Sequence, residues 1–166
     1  LWIVLFFSAM TGLSRAFVNE EETGTALALR LSAPPSAVFL GKLLSNLALL
    51  GVVMAFVVPL FLALMSFGIA APGLFLAILA LGAVGLASAS TFIAAIVAKT
   101  AAKGALFAVL ATPLLLPPLV AAVTGTRVAA TEPELAAGLD AARLLFAYDG
   151  LMVTASFLLF DAVWRE

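Results

Sequence analysis

Long apolar runs dominate this chain, and short polar stretches separate them. There are five runs, with approximate bounds Leu1–Ser14, Leu43–Phe67, Leu74–Ala98, Ala105–Val123 and Leu144–Trp164. A helix needs about 20 apolar residues to cross about 30 Å of hydrocarbon, and the last four runs reach that length. They lack the alternation of barrel strands, and in lipid only helices satisfy their own backbone groups within one segment. The pattern predicts an all-α, polytopic transmembrane helix bundle.

The first run, Leu1–Ser14, is shorter than a spanning helix. It has neither the basic start nor the small-residue cleavage site of a signal peptide. We interpret it as the second half of a transmembrane helix whose beginning lies upstream. The expectation is a single transmembrane domain over residues 1–166 with five helices visible, the first truncated, of six in the whole protein.

Composition agrees with a membrane protein and narrows its chemistry. The chain is 65% hydrophobic and 10% charged, against about 45–50% and about 25% in soluble domains. The net charge of -1 gives no indication of a nucleic-acid partner. With no Cys and no His, the commonest metal and haem ligands and the commonest general base are missing. The sequence predicts no catalytic residue, no metal site and no directly bound cofactor.

Nucleotide hydrolysis is not predicted in this chain either. Gly41-Lys42 is followed by Leu43, so the Gly-rich phosphate loop that ends in Gly-Lys-Ser/Thr is not formed there. If the protein does energised work, another chain must hydrolyse the nucleotide.

Basic residues orient the predicted bundle. One side of the membrane collects Arg15, Arg30, Lys42, Lys99, Lys103 and Arg165, and the other collects Arg127 and Arg143. Positively charged loops face the cytoplasm in most membrane proteins. This predicts a cytoplasmic C-terminus and places an outer loop at residues 124–143.

The connection over residues 15–42 is longer than two joined helices need. It contains the acidic cluster Glu20, Glu21 and Glu22, then the breaker Thr23-Gly24-Thr25. A short helical run follows and stops at Pro34-Pro35, since proline prevents helix continuation. Two interpretations stay open: a docking surface for a cytoplasmic partner, or a solvated loop.

Small residues recur at helical spacing in the third apolar run, at Gly82, Gly85 and Ser88. Residues of this size let helix backbones approach closely in membranes. We therefore predict that this face packs against another helix, or forms a contact between subunits.

Two further features lie inside apolar runs. Pro113, Pro117 and Pro118 interrupt the fourth run, which predicts a helix kink, either static or beside a moving pathway. Asp149 lies in the fifth run. An intramembrane carboxylate is a functional candidate, although the start of this run near Leu144 also allows a position at the outer interface.

These residues together resemble the cytochrome c maturation protein B family, also called haem exporter protein B. The resemblance covers essentially the whole chain. It is carried by Glu22, Gly24, Thr25, Leu29, Pro34, Gly41 and Lys42, by the proline-rich run Thr112–Leu119, and by the ending Phe157–Asp161. Ala26 and Leu27 depart from a Leu-Glu pair that is common in the family. Family members are longer at the N-terminus by about one helix and a half, which agrees with the truncated first helix.

The resemblance implies a non-catalytic, ABC-2-like permease subunit of an ABC transporter in the bacterial cytoplasmic (inner) membrane. It implies that a partner ATPase, cytochrome c maturation protein A, uses ATP and docks on the connection over 15–42. The docking candidates are Glu20, Glu21, Glu22, Gly24, Thr25, Leu29, Arg30 and Pro34. Further implied partners are the membrane subunits C and D and the haem chaperone E. Haem is the implied transported or handled species, in c-type cytochrome biogenesis.

Two other functions stay open. One is an ABC-2-type export permease for a drug, a lipid or a polysaccharide, and the other is a passive membrane scaffold without an ATPase. Five or six helices form half of a usual transporter pathway, so we expect a homodimer or a pairing with another membrane subunit. Because the chain has few residues that could ligate haem iron, we favour mechanical coupling over haem binding.

Overall fold

In the computed structural model, residues 1–12, 34–97, 103–131 and 135–165 are described, and every regular element within these ranges is an α-helix. The helices are α1 (Trp2–Gly12), α2 (Pro35–Met65), α3 (Pro72–Val97), α4 (Lys103–Thr131) and α5 (Leu135–Arg165). Helices α2 to α5 each contain a stretch long and apolar enough to cross a membrane: Ser36–Met65, Pro72–Ala94, Val109–Thr131 and Ala136–Leu158. The predicted polytopic helical bundle is confirmed.

Consecutive helices from α2 to α5 run antiparallel. The backbone N–H groups of Ala70 and Ala71, in the turn between α2 and α3, both donate to the carbonyl of Ala129 at 2.9 Å. This turn therefore lies beside the last residues of α4. At the opposite end of the bundle, the rings of Phe39 in α2 and Phe157 in α5 meet edge to face at 5.6 Å. The start of α2 thus lies beside the last turns of α5.

Helix α3 is the centre of the bundle. It contacts each of the other four helices. In its most apolar 18-residue stretch 67% is buried, whereas in the corresponding stretch of α2 only 6% is buried. Helix α2 turns large apolar side chains such as Phe56, Leu60 and Leu64 outward. Lipid tails are as apolar as these side chains, so this face of α2 suits hydrocarbon rather than water.

Helix α2 begins earlier than its apolar run. The run starts at Leu43, but the helix starts at Pro35, after Pro34 in an extended conformation with φ -67° and ψ 149°. Proline is favoured at the first helical position because its fixed φ suits the helix and its missing N–H would be unpaired there anyway. Positions 35–42 of the predicted connection over 15–42 are therefore helical.

The predicted outer loop over 124–143 was wrong in its extent. Helix α4 continues to Thr131, and α5 already begins at Leu135. The helices extend beyond the apolar runs in this region, because the ends of a helix can accommodate polar residues. Thr131, for example, donates its hydroxyl to the carbonyl of Arg127 at 2.9 Å, a bond within its own helix.

Candidate functional site

Helices α3, α4 and α5 meet at Gly85, Pro118 and Asp149, each near the middle of its helix. A Cβ atom added to Gly85 would lie 2.8 Å from Oδ1 of Asp149, 3.5 Å from Cβ of Pro118 and 3.6 Å from Cδ1 of Tyr148. We call these four residues the midspan junction. The missing side chain of Gly85 is what allows the three helices to approach this closely.

Asp149 is the polar centre of the midspan junction. It is only 6% exposed, and neither carboxylate oxygen has a hydrogen-bond partner among the described residues. Because α5 begins at Leu135, Asp149 lies near the middle of the span Ala136–Leu158 rather than at its end. Placing Asp at the centre of a membrane helix costs about 2.5–3.5 kcal/mol on insertion scales. A residue kept at such a cost is a functional candidate.

Tyr148 and Pro118 are linked through the backbone of α4. Pro118 has no N–H, so it leaves the carbonyl of Leu114, four residues earlier, without its helical donor. The hydroxyl of Tyr148 donates to that carbonyl oxygen at 2.7 Å. In lipid a freed carbonyl needs a partner from the protein or from water. Tyr148 of α5 therefore supplies the hydrogen bond that Pro118 removes from α4.

The three prolines of α4 occupy different environments. The helix runs through all of them. Pro113 and Pro117 are exposed, whereas Pro118 is buried against α3 and α5. Of these three candidates, Pro118 is the one that belongs to the midspan junction.

Large side chains pack on the small residues of α3. Gly82 lies under the indole ring of Trp2, with a Cβ added at position 82 falling 2.6 Å from Cζ3 of that ring. The indole N–H of Trp2 donates to Oγ1 of Thr126 at 2.8 Å. Ser88 is fully buried and donates its hydroxyl to the carbonyl of Gly85 at 3.2 Å. The predicted small face of α3 thus receives α1 at Gly82 and α5 at Gly85.

A polar contact that the sequence analysis missed joins α2 to α3. The side-chain amide of Asn46 donates to Oγ1 of Thr91 at 2.7 Å, and Thr91 donates to the carbonyl of Ala87 at 2.6 Å. The only signal in the sequence was a single Asn, Asn46, within an apolar run.

The hydrogen bond donated by Tyr148 was also not predicted from the sequence. Counting four residues back from Pro118 identifies the freed carbonyl, but only the packing of α5 identifies its donor.

Most of the predicted docking residues, Glu20 to Arg30, lie outside the described residues. Pro34 is described and is exposed immediately before α2. Within the described ranges, no group of three or more His, Cys, Asp or Glu side chains could hold a metal ion. The midspan junction is therefore the site to which the described structure gives the clearest chemistry.

Comparison with known protein families matches residues 1–163 to the family CcmB, described as CcmB protein. No curated protein and no solved structure matches the chain. The family match spans nearly the whole sequence and includes the four stretches of the described residues that could cross a membrane. This multi-pass membrane protein belongs to the CcmB family, membrane components of haem export in cytochrome c biogenesis.

Proposed function

We propose that this chain is the permease subunit of an ABC transporter complex. In this proposal it couples ATP hydrolysis in a partner ATPase to membrane-side work in haem export or haem-chaperone release. The observation that carries the proposal is the family match over residues 1–163. The partner ATPase is cytochrome c maturation protein A, and the complex also contains subunits C and D and works with chaperone E. The complex lies in the bacterial inner membrane.

The connection over residues 15–42 is the proposed docking segment, and it contains the acidic cluster Glu20 to Glu22. Its positions 35–42 form the first turns of α2. Helix α2 is joined to α5 by the ring contact of Phe39 and to α3 by the hydrogen bond of Asn46. These two contacts offer a route by which movement of the docking segment would reach the centre of the bundle.

Mechanical coupling is the proposed role, and the other subunits and the chaperone would hold the haem. The 166 residues contain no His or Cys, and their one Tyr is Tyr148. The hydroxyl of Tyr148 is already engaged by the carbonyl of Leu114. Met remains as a ligand type for haem iron, with four residues in the chain. The chain thus has little chemistry with which to ligate haem iron.

Replacing Glu20, Glu21 and Glu22 together with Ala tests the docking segment. We expect several-fold less ATPase to copurify with the full-length protein in detergent, while its level in the membrane is unchanged. The matched control is Asp140→Ala, which removes an exposed carboxylate in the first turns of α5, outside the docking segment, and should leave copurification intact. Equal ATPase recovery from the triple variant and the wild type would assign the three glutamates to a solvated loop.

Deletion of the gene separates the proposal from its alternatives. Loss of c-type cytochromes is expected because their haem would not be delivered. Normal maturation in the deletion strain would favour an export permease for a drug, a lipid or a polysaccharide. A full-length protein that copurifies with no ATPase would instead favour a passive scaffold.

A further inference from the structure

The proposed docking and coupling do not use Asp149, which is the chemically least explained group in the described bundle. Its carboxyl is 6% exposed and has no hydrogen-bond partner there. In the midspan junction Oδ1 of Asp149 lies against Gly85 of α3, and the ring of Pro118 in α4 packs at the same point. A proline ring carries no N–H or O–H group, and the backbone N–H of Gly85 is used within the hydrogen bonds of α3, so neither residue offers Asp149 a free donor.

No charge is placed to neutralise Asp149 within the described residues. The adjacent Tyr148 donates its hydroxyl to the carbonyl of Leu114. In α2 the charged residue is Lys42, which lies one turn from Phe39. Phe39 contacts Phe157, so Lys42 lies at a level of the bundle about two turns of α5 away from Asp149. Helices α1 and α3 contain no charged residue.

The remaining charges of α4 and α5 lie toward the helix ends. These are Lys103 and Arg127 in α4, and Asp140, Arg143, Asp161 and Arg165 in α5. Asp140 and Arg143 form an exposed salt bridge with each other, with 3.0 Å between Oδ1 of Asp140 and a guanidinium nitrogen of Arg143. No salt bridge of the described residues includes Asp149, so its charge has to be removed in another way.

A proton fits these surroundings better than a metal cation does. Calcium takes six to eight oxygen ligands, and magnesium requires near-octahedral oxygen coordination. The side-chain oxygens of the midspan junction are the two of Asp149 and the hydroxyl of Tyr148, which is fewer than either ion takes. One carboxyl oxygen is sufficient to bind a proton, and the protonated carboxyl carries no charge to desolvate.

We propose that Asp149 is an intramembrane proton-binding site. While water still reaches the carboxyl, hydronium gives a proton to one carboxylate oxygen, which forms an O–H bond and leaves water. The neutral carboxyl is then enclosed in the midspan junction, as in this structure. When α4 moves away from α3 and α5, water reaches the carboxyl and takes the proton back as hydronium. Pro118 removes one backbone hydrogen bond from α4, and the bond from Tyr148 that replaces it joins α4 to α5 beside Asp149. Movement of α4 at this point would therefore change the surroundings of the carboxyl.

This inference rests on the proposed function only for the cause of the movement of α4. Proton binding itself needs neither the ATPase nor the docking segment. A test on the complex without ATP therefore addresses Asp149 alone, and loss of ATPase copurification would leave its result unchanged.

Infrared difference spectroscopy of the full-length protein in its membrane complex, reconstituted in lipid vesicles, tests the proposal. We expect a carbonyl stretching band of a protonated carboxyl in acidic buffer, converted to the carboxylate bands as the buffer is made alkaline. Asp149→Asn should abolish this band, since the amide keeps the shape but binds no proton. Asp140→Asn is the control and should leave the band unchanged. If the Asn variant does not accumulate, Asp149→Glu assigns the band by shifting its frequency.

Three results would overturn the proposal. A carboxylate at Asp149 that stays ionised in acidic and in alkaline buffer would mean that a donor or a cation neutralises it. A carboxyl that stays protonated throughout would make it a packing group that exchanges no proton. A band that responds to sodium or potassium concentration at constant pH would identify a metal-cation site.

Discussion

Gly82 leaves a space in α3 that the indole ring of Trp2 fills. A Cβ at this position would come within 2.6 Å of Cζ3 of that ring, which is closer than atoms pack. The ring is also held by the hydrogen bond from its N–H to Thr126, so it cannot swing aside without losing a buried bond. The absence of a side chain at Gly82 thus determines how α1 packs against α3.

The substitution Gly82→Ala should therefore destabilise the protein, by about 1–3 kcal/mol as for other overpacked sites. Gly51→Ala is the control, because a Cβ there meets nothing within 4 Å and Ala favours a helix over Gly by about 0.5–1 kcal/mol. Thermal unfolding of the full-length variants in detergent, followed by circular dichroism, measures both effects. A Gly82→Ala protein as stable as the Gly51→Ala protein would contradict the packing described for Trp2.

Helix α4 depends on its neighbour for one of the backbone hydrogen bonds that its prolines remove. Pro118 removes the donor for the carbonyl of Leu114, and the hydroxyl of Tyr148 in α5 replaces it. The helix continues through Pro118 within the span because this freed carbonyl finds a protein partner. This hydrogen bond also joins α4 to α5 beside Asp149. Breaking it would therefore change the environment of the Asp149 carboxyl.

A double-mutant cycle measures this dependence. In the wild-type background Tyr148→Phe should cost about 0.6 kcal/mol and at most about 1.7 kcal/mol, the mean and the maximum for hydrogen bonds between membrane helices. In the Pro118→Ala background the same change should cost much less, because position 118 then donates its own N–H to Leu114. The substitution by Ala also keeps the Cβ that packs on Gly85. Unfolding in denaturing detergent gives the four stabilities, and equal costs in the two backgrounds would refute the replacement.

At the scale of the whole molecule, the antiparallel helices sort the basic residues between the two ends of the bundle. Lys42, Lys103 and Arg165 lie near one end, where α2 and α4 begin and α5 finishes. Arg127 and Arg143 lie toward the other end, in the last turns of α4 and the first turns of α5. Positively charged ends are retained in the cytoplasm. The end with the C-terminus is therefore the expected cytoplasmic end.

Reporter fusions to the full-length protein test this orientation. A green fluorescent protein fused at the C-terminus should fluoresce, because it folds in the cytoplasm, and alkaline phosphatase fused there should be inactive. Alkaline phosphatase inserted at Gly68, an exposed glycine in the turn between α2 and α3, should be active because that turn lies at the opposite end. The reverse pattern of activities would invert the assigned orientation.

Helix existence was predictable from short stretches of sequence, but helix ends were not. The run from Leu144 predicted too late a start for α5, because the turns before it carry Asp140 and Arg143 and are still helical. With the predicted start, Asp149 could lie at the end of the span. With the observed start, it lies near the middle of the span. Hydropathy reports where lipid can lie, whereas helical hydrogen bonds continue into the polar interface.

By itself the sequence determined that this is a helical membrane protein, since apolar run length and the need to satisfy the backbone in lipid are local properties. Its motifs also indicated the family that the comparison shows. Only the tertiary structure decided that Gly85, Pro118 and Asp149 meet, and that Tyr148 donates to Leu114. In lipid, helices associate through close packing and hydrogen bonds rather than through the hydrophobic effect. Such contacts depend on the shapes of side chains far apart in the chain, which no local pattern specifies.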